Sequence, residues 1–268
     1  MITTDFHIHT AFCDGRDTPE EIVLKALEKG FTAIGFSGHS YTAMDAGFAM
    51  NADTAAEYRR VINELKLKYS GRIKIFCGIE QDYFSSEPAG AYDYVIGSVH
   101  SVYKNGKYIS VDNTAEIIRN AVNTEYGGDF DALAEDYFAL AGNVPDKTGA
   151  DIIGHFDLVS KFSEQNGYGQ SPRFLAAAEK AVERLVKYGK PFEINTGAMA
   201  RGMRSVPYPS KEILLMIKEY GGKVILSSDC HDKNYLGFAF DKAEKLAREC
   251  GFDRYDIITE DGLKTLCF

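Results

Sequence analysis

Six histidines occur in the chain, and each stands at or just past the end of a short apolar run. His7 and His9 close the opening DFHIHT, His39 follows AIGFSG, His100 follows YVIGSV, His155 ends DIIGH, and His231 follows VILSSDC. Carboxylates keep them company: Asp14 in AFCDG, Glu80 at the end of IKIFCGIE, and Asp229 two residues before His231. A spacing of two puts His7 and His9 on one face of a strand, and Asp229 and His231 likewise. Neutral imidazoles and carboxylates are the ligands that suit Zn²⁺, Mn²⁺ and Fe²⁺. The nine groups, His7, His9, Asp14, His39, Glu80, His100, His155, Asp229 and His231, exceed what one ion uses and would suit two or three. A lone histidine at a strand end is more often a hydrogen-bonded core or loop residue. It is the shared position of all six that argues for convergence.

Something must bring together residues spread from 7 to 231. Strands are expected over Asp5–His9, Ala33–Ser37, Ile73–Gly78, Tyr94–Ser98, Asp151–His155, Phe192–Asn195 and Lys223–Ser227, whose Val, Ile, Phe and Tyr suit buried positions. Helix starts lie between them. Thr18-Pro19-Glu20-Glu21 is a capping box with proline at the first helical position, and Gly30 is placed to end that helix. Ser171-Pro172 opens a helix that Gly189 could close, and Ser210 opens another before Gly221-Gly222. A helix is expected over Thr54–Tyr69, and two over Asn113–Gly142, split at Gly127-Gly128. Strand–helix alternation throughout implies a parallel sheet with crossover helices. Seven strands in a chain of this length fit a closed or nearly closed α/β barrel, whose C-terminal strand ends gather on one face. No GxGxxG or GxxxxGK[ST] supports an open nucleotide-binding sheet, and no linker divides residues 1–268, so one domain is expected.

Composition narrows the partners. Lys and Arg number 30 against 39 Asp and Glu, a net charge of −9, and the pI is about 5.2. That argues against nonspecific nucleic-acid binding, which needs a basic face. Five cysteines without CxxC spacing suit neither a disulfide framework nor a zinc ribbon. The N-terminus does not read as a signal peptide, and no apolar run is long enough for a membrane span. The cytoplasm is the expected compartment.

These motifs together resemble the PHP (polymerase and histidinol phosphatase) family of metal-dependent phosphoesterases. The matching segments are DFHIHTAFCDG, GFSGHS, CGIEQDYF, YVIGSVHSV, DIIGHFDLVSKF, FEINTGAMARG and SSDCH, in the family's order over nearly the whole chain. IGSVH, IGHFDL and EINT point to its histidinol-phosphate phosphatase branch. The resemblance implies a distorted (β/α)7 TIM-like barrel holding a trinuclear metal centre of Mn, Zn or Fe. By position, His7, His9, Glu80 and Asp229 would hold one ion. Glu80 would bridge to a second, completed by His100 and His155, and Asp14, His39 and His231 would hold the third. Glu80, Asp229 and His231 are the expected catalytic members. Some family members carry histidine where this chain has Asp14, which shifts the expected preference toward manganese or iron.

The chemistry expected of such a site is phosphomonoester hydrolysis. A water bridging two cations is deprotonated near neutral pH and attacks phosphorus, while bound phosphate oxygens have their charge neutralised. Cys230 is read as packing. A fixed cation for the phosphate is expected from Arg201, with Lys161, Arg16 and Arg204 as further candidates. Asn195 is a candidate substrate contact or loop cap, Asp157, two past His155, is a candidate for orienting that ring, and Asp82, two past Glu80, is a candidate for the same kind of supporting role. Tyr41, Asp45, Phe48, Tyr83, Phe84 and Tyr103 are candidates for the pocket of an imidazole and an amine. The leading expectation is hydrolysis of L-histidinol phosphate in histidine biosynthesis, with no nucleic-acid or membrane partner. The alternatives are another small phosphorylated metabolite and, last, a noncatalytic metal-binding module.

Overall fold

The structure, a computed structural model, describes residues 2–44 and 47–268. Among the described residues eleven strands follow in chain order: β1 Thr4–Asp5, β2 Ala33–Phe36, β3 Lys74–Asp82, β4 Tyr94–Ser98, β5 Ser101–Lys104, β6 Lys107–Ser110, β7 Ile152–Ile153, β8 Pro191–Asn195, β9 Lys223–Ser227, β10 Arg254–Thr259 and β11 Gly262–Cys267. Seven form one sheet in the order β1-β2-β3-β4-β7-β8-β9. Every adjacent pair in it is parallel. Beyond the ladder ends, Cys230 N–H donates to His7 O at 3.0 Å and His9 N–H donates to Cys230 O at 2.8 Å. This bridge brings the last strand's extension onto the first, so the sheet curls into a nearly closed barrel.

The expected helix signals operate. Thr18 and Glu21 form the reciprocal capping box at the start of the helix Pro19–Glu28. Ser171 caps Pro172–Leu185, which buries Phe174, Ala178, Ala181, Val182 and Leu185, the spacing of one helical face. The stretch after Asn113 divides into Ala115–Glu125 and Phe130–Ala141 as Gly127 and Gly128 require. Among the described residues, no helix is long and apolar enough to cross a membrane.

Inside the barrel a separate apolar cluster gathers Phe6, Phe76, Tyr94, Ile96, Ile152, Ile225 and Ile258. The Tyr94 hydroxyl donates to Phe6 O at 2.6 Å, linking β4 across to the end of β1. Its ring lies over Gly78, where a β-carbon would come within 2.3 Å of the ring carbon Cζ. The antiparallel pair β10–β11 covers the N-terminal end. Lys74 and Lys223, which begin β3 and β9, face Glu260 and Asp256 of that pair. With this end sealed by hydrophobic contacts, polar residues are left to the opposite end.

Candidate metal centre

All six histidines lie at that opposite, C-terminal end, five of them around one carboxylate. Glu80 is buried near the end of β3. Its Oε1 lies 2.8 Å from His155 Nε2 and 3.2 Å from His100 Nε2. Its Oε2 lies 2.9 Å from His39 Nδ1, 3.3 Å from His7 Nε2 and 3.5 Å from His9 Nε2. The two oxygens therefore address two different sets of imidazoles. Asp229 Oδ1 stands 3.3 Å from His9 Nε2 and 3.8 Å from His7 Nε2. Asp14 Oδ2 stands 3.1 Å from His231 Nε2 and 3.6 Å from His39 Nε2. Three compact donor groups result: His7, His9 and Asp229; His39, Glu80 and His100; and His9, Asp14, His39 and His231.

The donors fit divalent cations. His7 Nε2, His9 Nε2 and Glu80 Oε2 are buried without a hydrogen-bond partner, a costly condition for polar atoms unless a cation satisfies them. The charges are mutually dependent. Burial raises the Glu80 pKa, but the imidazoles of His39, His7 and His100 outweigh it and hold the carboxyl well below its ordinary value. Burial pushes His39 down, yet the Glu80 carboxylate beside it brings it up to about 9. His231 moves the other way, lowered by burial and by His9.

Outer contacts hold these groups in place. His100 Nδ1 lies 3.0 Å from Asp82 Oδ2. Asp157 does not reach the His155 ring. It accepts from Ser160 Oγ at 3.1 Å and Ser210 N–H at 3.2 Å, with Arg204 Nη1 at 3.5 Å. His7 Nδ1 instead meets Glu193 Oε1 at 2.8 Å, a contact sequence reading missed. Cys230 is buried and its Sγ donates to Asp232 O.

The candidate cations separate sharply. Arg201, its side chain 31% exposed, donates from Nη2 to Asp229 Oδ2 at 3.0 Å. Its Nη1 lies 2.9 Å from His231 Nδ1. Lys161 is buried and donates to Asp112 O at 2.9 Å. Both line the cavity formed by Glu80, His100, His155, Asp229 and His231. Arg16, 78% exposed, turns instead to Asp232. Arg204 is neither a surface charge nor in the cavity: 5% exposed, it lies over the Tyr208 ring and donates to Ser160 Oγ. Asn195 is buried and spent internally, donating to Glu193 Oε2 and accepting from Gly197 N–H.

A second cavity adjoins the first, sharing Asp14, His39, His100 and Asp112. Phe48 lines it. Tyr41 lines a different cavity beside Arg59 and Gln81. Tyr83, Phe84, Tyr108 and Tyr103 form a row of ring contacts, with Tyr103 and Tyr108 exposed, away from both site cavities. Asp45 lies outside the described residues. Asp112 and Ser110 come to the site because the β5–β6 hairpin folds back, Val111 N–H donating to His100 O.

Residues 5–197 match the family model described as PHP domain. A Deinococcus radiodurans protein named Probable histidinol-phosphatase is 29% identical over 258 residues, covering 92% of this chain and 93% of its own. The Histidinol-phosphatase of Lactococcus lactis is 26% identical over 280 residues, covering 98% and 96%. The solved structure of histidinol phosphate phosphatase from that organism, complexed with zinc, L-histidinol and phosphate, superposes with a TM-score of 0.72 at 22% identity, over 98% of each chain. That likeness extends to the fold.

Proposed function

The chain belongs to the PHP domain family, and on that premise we propose that it is a single-domain phosphomonoesterase, residues 1–268, that hydrolyses L-histidinol phosphate to L-histidinol and phosphate. The names of its relatives support this substrate. The observation that carries the reading is the set of buried, unpartnered nitrogens and oxygen facing one another around Glu80. Two or three divalent transition-metal ions, Mn, Zn or Fe, would be held by His7, His9, Asp14, His39, Glu80, His100, His155, Asp229 and His231. When bound, such ions acidify water and neutralise phosphate charge.

The chain's own residues supply the rest. Glu80 divides its oxygens between two donor sets and fixes their separation. Arg201 lies against Asp229 and His231, so its remaining N–H groups reach a phosphate seated on the cluster. Lys161 lines the same cavity. Asp112 lines both cavities and is held low by Lys161 despite burial, which suits it to receive the substrate's ammonium group. Phe48 offers an apolar surface to the imidazole. Water attacks phosphorus in line with the departing alcohol, and no covalent bond to the enzyme is needed. A small phosphorylated metabolite as partner, without nucleic acid or membrane, agrees with the charge of −9. The free cysteines suit the cytoplasm.

The test is phosphate release by purified protein supplied with Mn²⁺, Zn²⁺ or Fe²⁺, across phosphorylated alcohols and amino alcohols. L-histidinol phosphate should give the highest kcat/KM. A better substrate elsewhere in the panel would establish the alternative, a different small phosphorylated metabolite. No release from any member would overturn the phosphatase reading.

A further inference from the structure

We propose that Glu193 is a positioning residue that ties two halves of the metal centre together from behind. The inference rests on the metal-centre reading above. Glu193 lies in β8, where the site candidates read from the sequence were Asn195 and the arginines beyond it. It is fully buried. Both its oxygens are used, on different parts of the site. Oε1 lies 2.8 Å from His7 Nδ1. Oε2 accepts from the His155 backbone N–H at 3.0 Å and from Asn195 Nδ2 at 3.2 Å.

The geometry has two consequences. An ionised carboxylate only accepts hydrogen bonds, so His7 carries its proton on Nδ1. In the neutral, ligating form of His7 the lone pair is then on Nε2, which faces Glu80 Oε2 and Asp229 Oδ1 at 3.3 and 3.8 Å. The second oxygen fixes the backbone at His155, whose Nε2 faces the other oxygen of Glu80 at 2.8 Å. Glu80 therefore joins the two donor sets from the front, and Glu193 joins the same two from the rear. Asp82 performs the comparable service for His100 alone. Hydrogen bonding to the far nitrogen of a ligating imidazole fixes its tautomer and raises its basicity, and losing such a partner weakens metal binding roughly 10–100-fold. Loss of Glu193 should act on both sets, because no other described side chain contacts both His7 Nδ1 and His155 N.

The experiment titrates Zn²⁺ out of loaded wild-type, Glu193→Gln and Asp82→Asn proteins with a competing chelator and measures retained metal by elemental analysis. Unfolding midpoints of the metal-free proteins are recorded alongside. Glu193→Gln should release its ions at roughly 10–100-fold lower chelator strength, more of them than Asp82→Asn releases. Wild-type retention by Glu193→Gln, or a change confined to its metal-free unfolding midpoint, would overturn the inference. Wild-type protein that takes up no zinc would instead overturn the metal-centre reading. If Glu193→Gln does not fold, nitrogen NMR of the zinc-loaded wild type decides: His7 should carry its proton on Nδ1, and a proton on Nε2 would overturn the proposal.

Discussion

Asp229 holds a left-handed backbone conformation, φ 48°, with its side chain packed against the bare α-carbon of Gly197. A β-carbon at Gly197 would fall 2.6 Å from Asp229 Oδ2 and 2.7 Å from its Cβ. Aspartate tolerates this backbone region better than most residues, at some cost. Asp229 cannot simply retreat, because Arg201 and His9 hold the carboxylate on either side. Gly197→Ala should therefore displace a metal-ligand candidate. We expect a loss of about 1–3 kcal/mol in stability from overpacking and a fall in bound metal per chain. Denaturant unfolding and elemental analysis check it. Full metal content in Gly197→Ala would show that the carboxylate can shift without consequence.

Glu80→Gln should nearly abolish turnover while leaving the fold in place. The amide keeps the shape but can offer only one accepting atom where the carboxylate addresses five imidazoles. The imidazoles then lose the negative charge that lets cations sit among them. Phosphate release and metal content, measured together, should fall together. Retained turnover with reduced metal would remove Glu80 from its bridging role.

The arginines should part in the kind of damage as well as in its size. Arg201→Ala should spare the fold and cost roughly 2–4 kcal/mol in kcat/KM, the scale of a direct contact to developing phosphate charge. Arg204→Ala should act through stability. It takes the cation from the buried Asp157 carboxylate, which keeps its bonds from Ser160 and Ser210, so the loss should not exceed that of a fully broken buried pair, about 3–5 kcal/mol. Arg16→Ala should be close to silent in both measurements, since its partner Asp232 lies outside the site cavities. Kinetics on histidinol phosphate and thermal unfolding separate the three. Wild-type kinetics in Arg201→Ala would pass the phosphate to Lys161.

What could be read in the chain, and what could not, follows from how each residue reaches the site. The histidines were legible because each ends an apolar run and parallel strands share a direction. Their packing around Glu80 needs only that topology. The first strand is shorter than expected, Thr4–Asp5 against Asp5–His9, because the rim residues leave the regular ladder and pair with Cys230 instead. Asp112 was not legible: it arrives on a hairpin that folds back over His100, and periodicity says nothing of where a hairpin folds. Arg204 could not be told from a surface charge, since its burial depends on Ser160 and Asp157, more than forty residues away in the chain, and the Tyr208 ring four residues on sits outside any helix that would make that spacing a signal. Glu193 left a signal in FEINTG, a charge inside a strand whose five residues are all buried. The two C-terminal strands gave no sign of their task, sealing the barrel's far end.

Metal affinity should climb with pH further than ordinary histidines would allow. A protonated imidazole cannot ligate, so an ion must displace any proton the nitrogen carries. Burial lowers His39, but Glu80 raises it to about 9. Its nitrogen is thus still largely protonated at neutral pH in the metal-free protein. His7, His9 and His100 are also raised well above the usual value: burial opposes this, and the surrounding carboxylates prevail. His231 is lowered, first by burial, and is already neutral, so it contributes no pH dependence there. The sign follows: as pH falls through the raised values, protons compete more strongly and apparent affinity drops. Each displaced proton contributes about a factor of ten per pH unit. Zinc dissociation constants should keep falling between about pH 7.5 and pH 9, where histidines at their ordinary pKa near 6.5 would give a plateau. Zinc addition near neutral pH should release protons into a weakly buffered solution. A dissociation constant flat over that interval, with no proton release, would mean that the imidazoles enter the site already neutral.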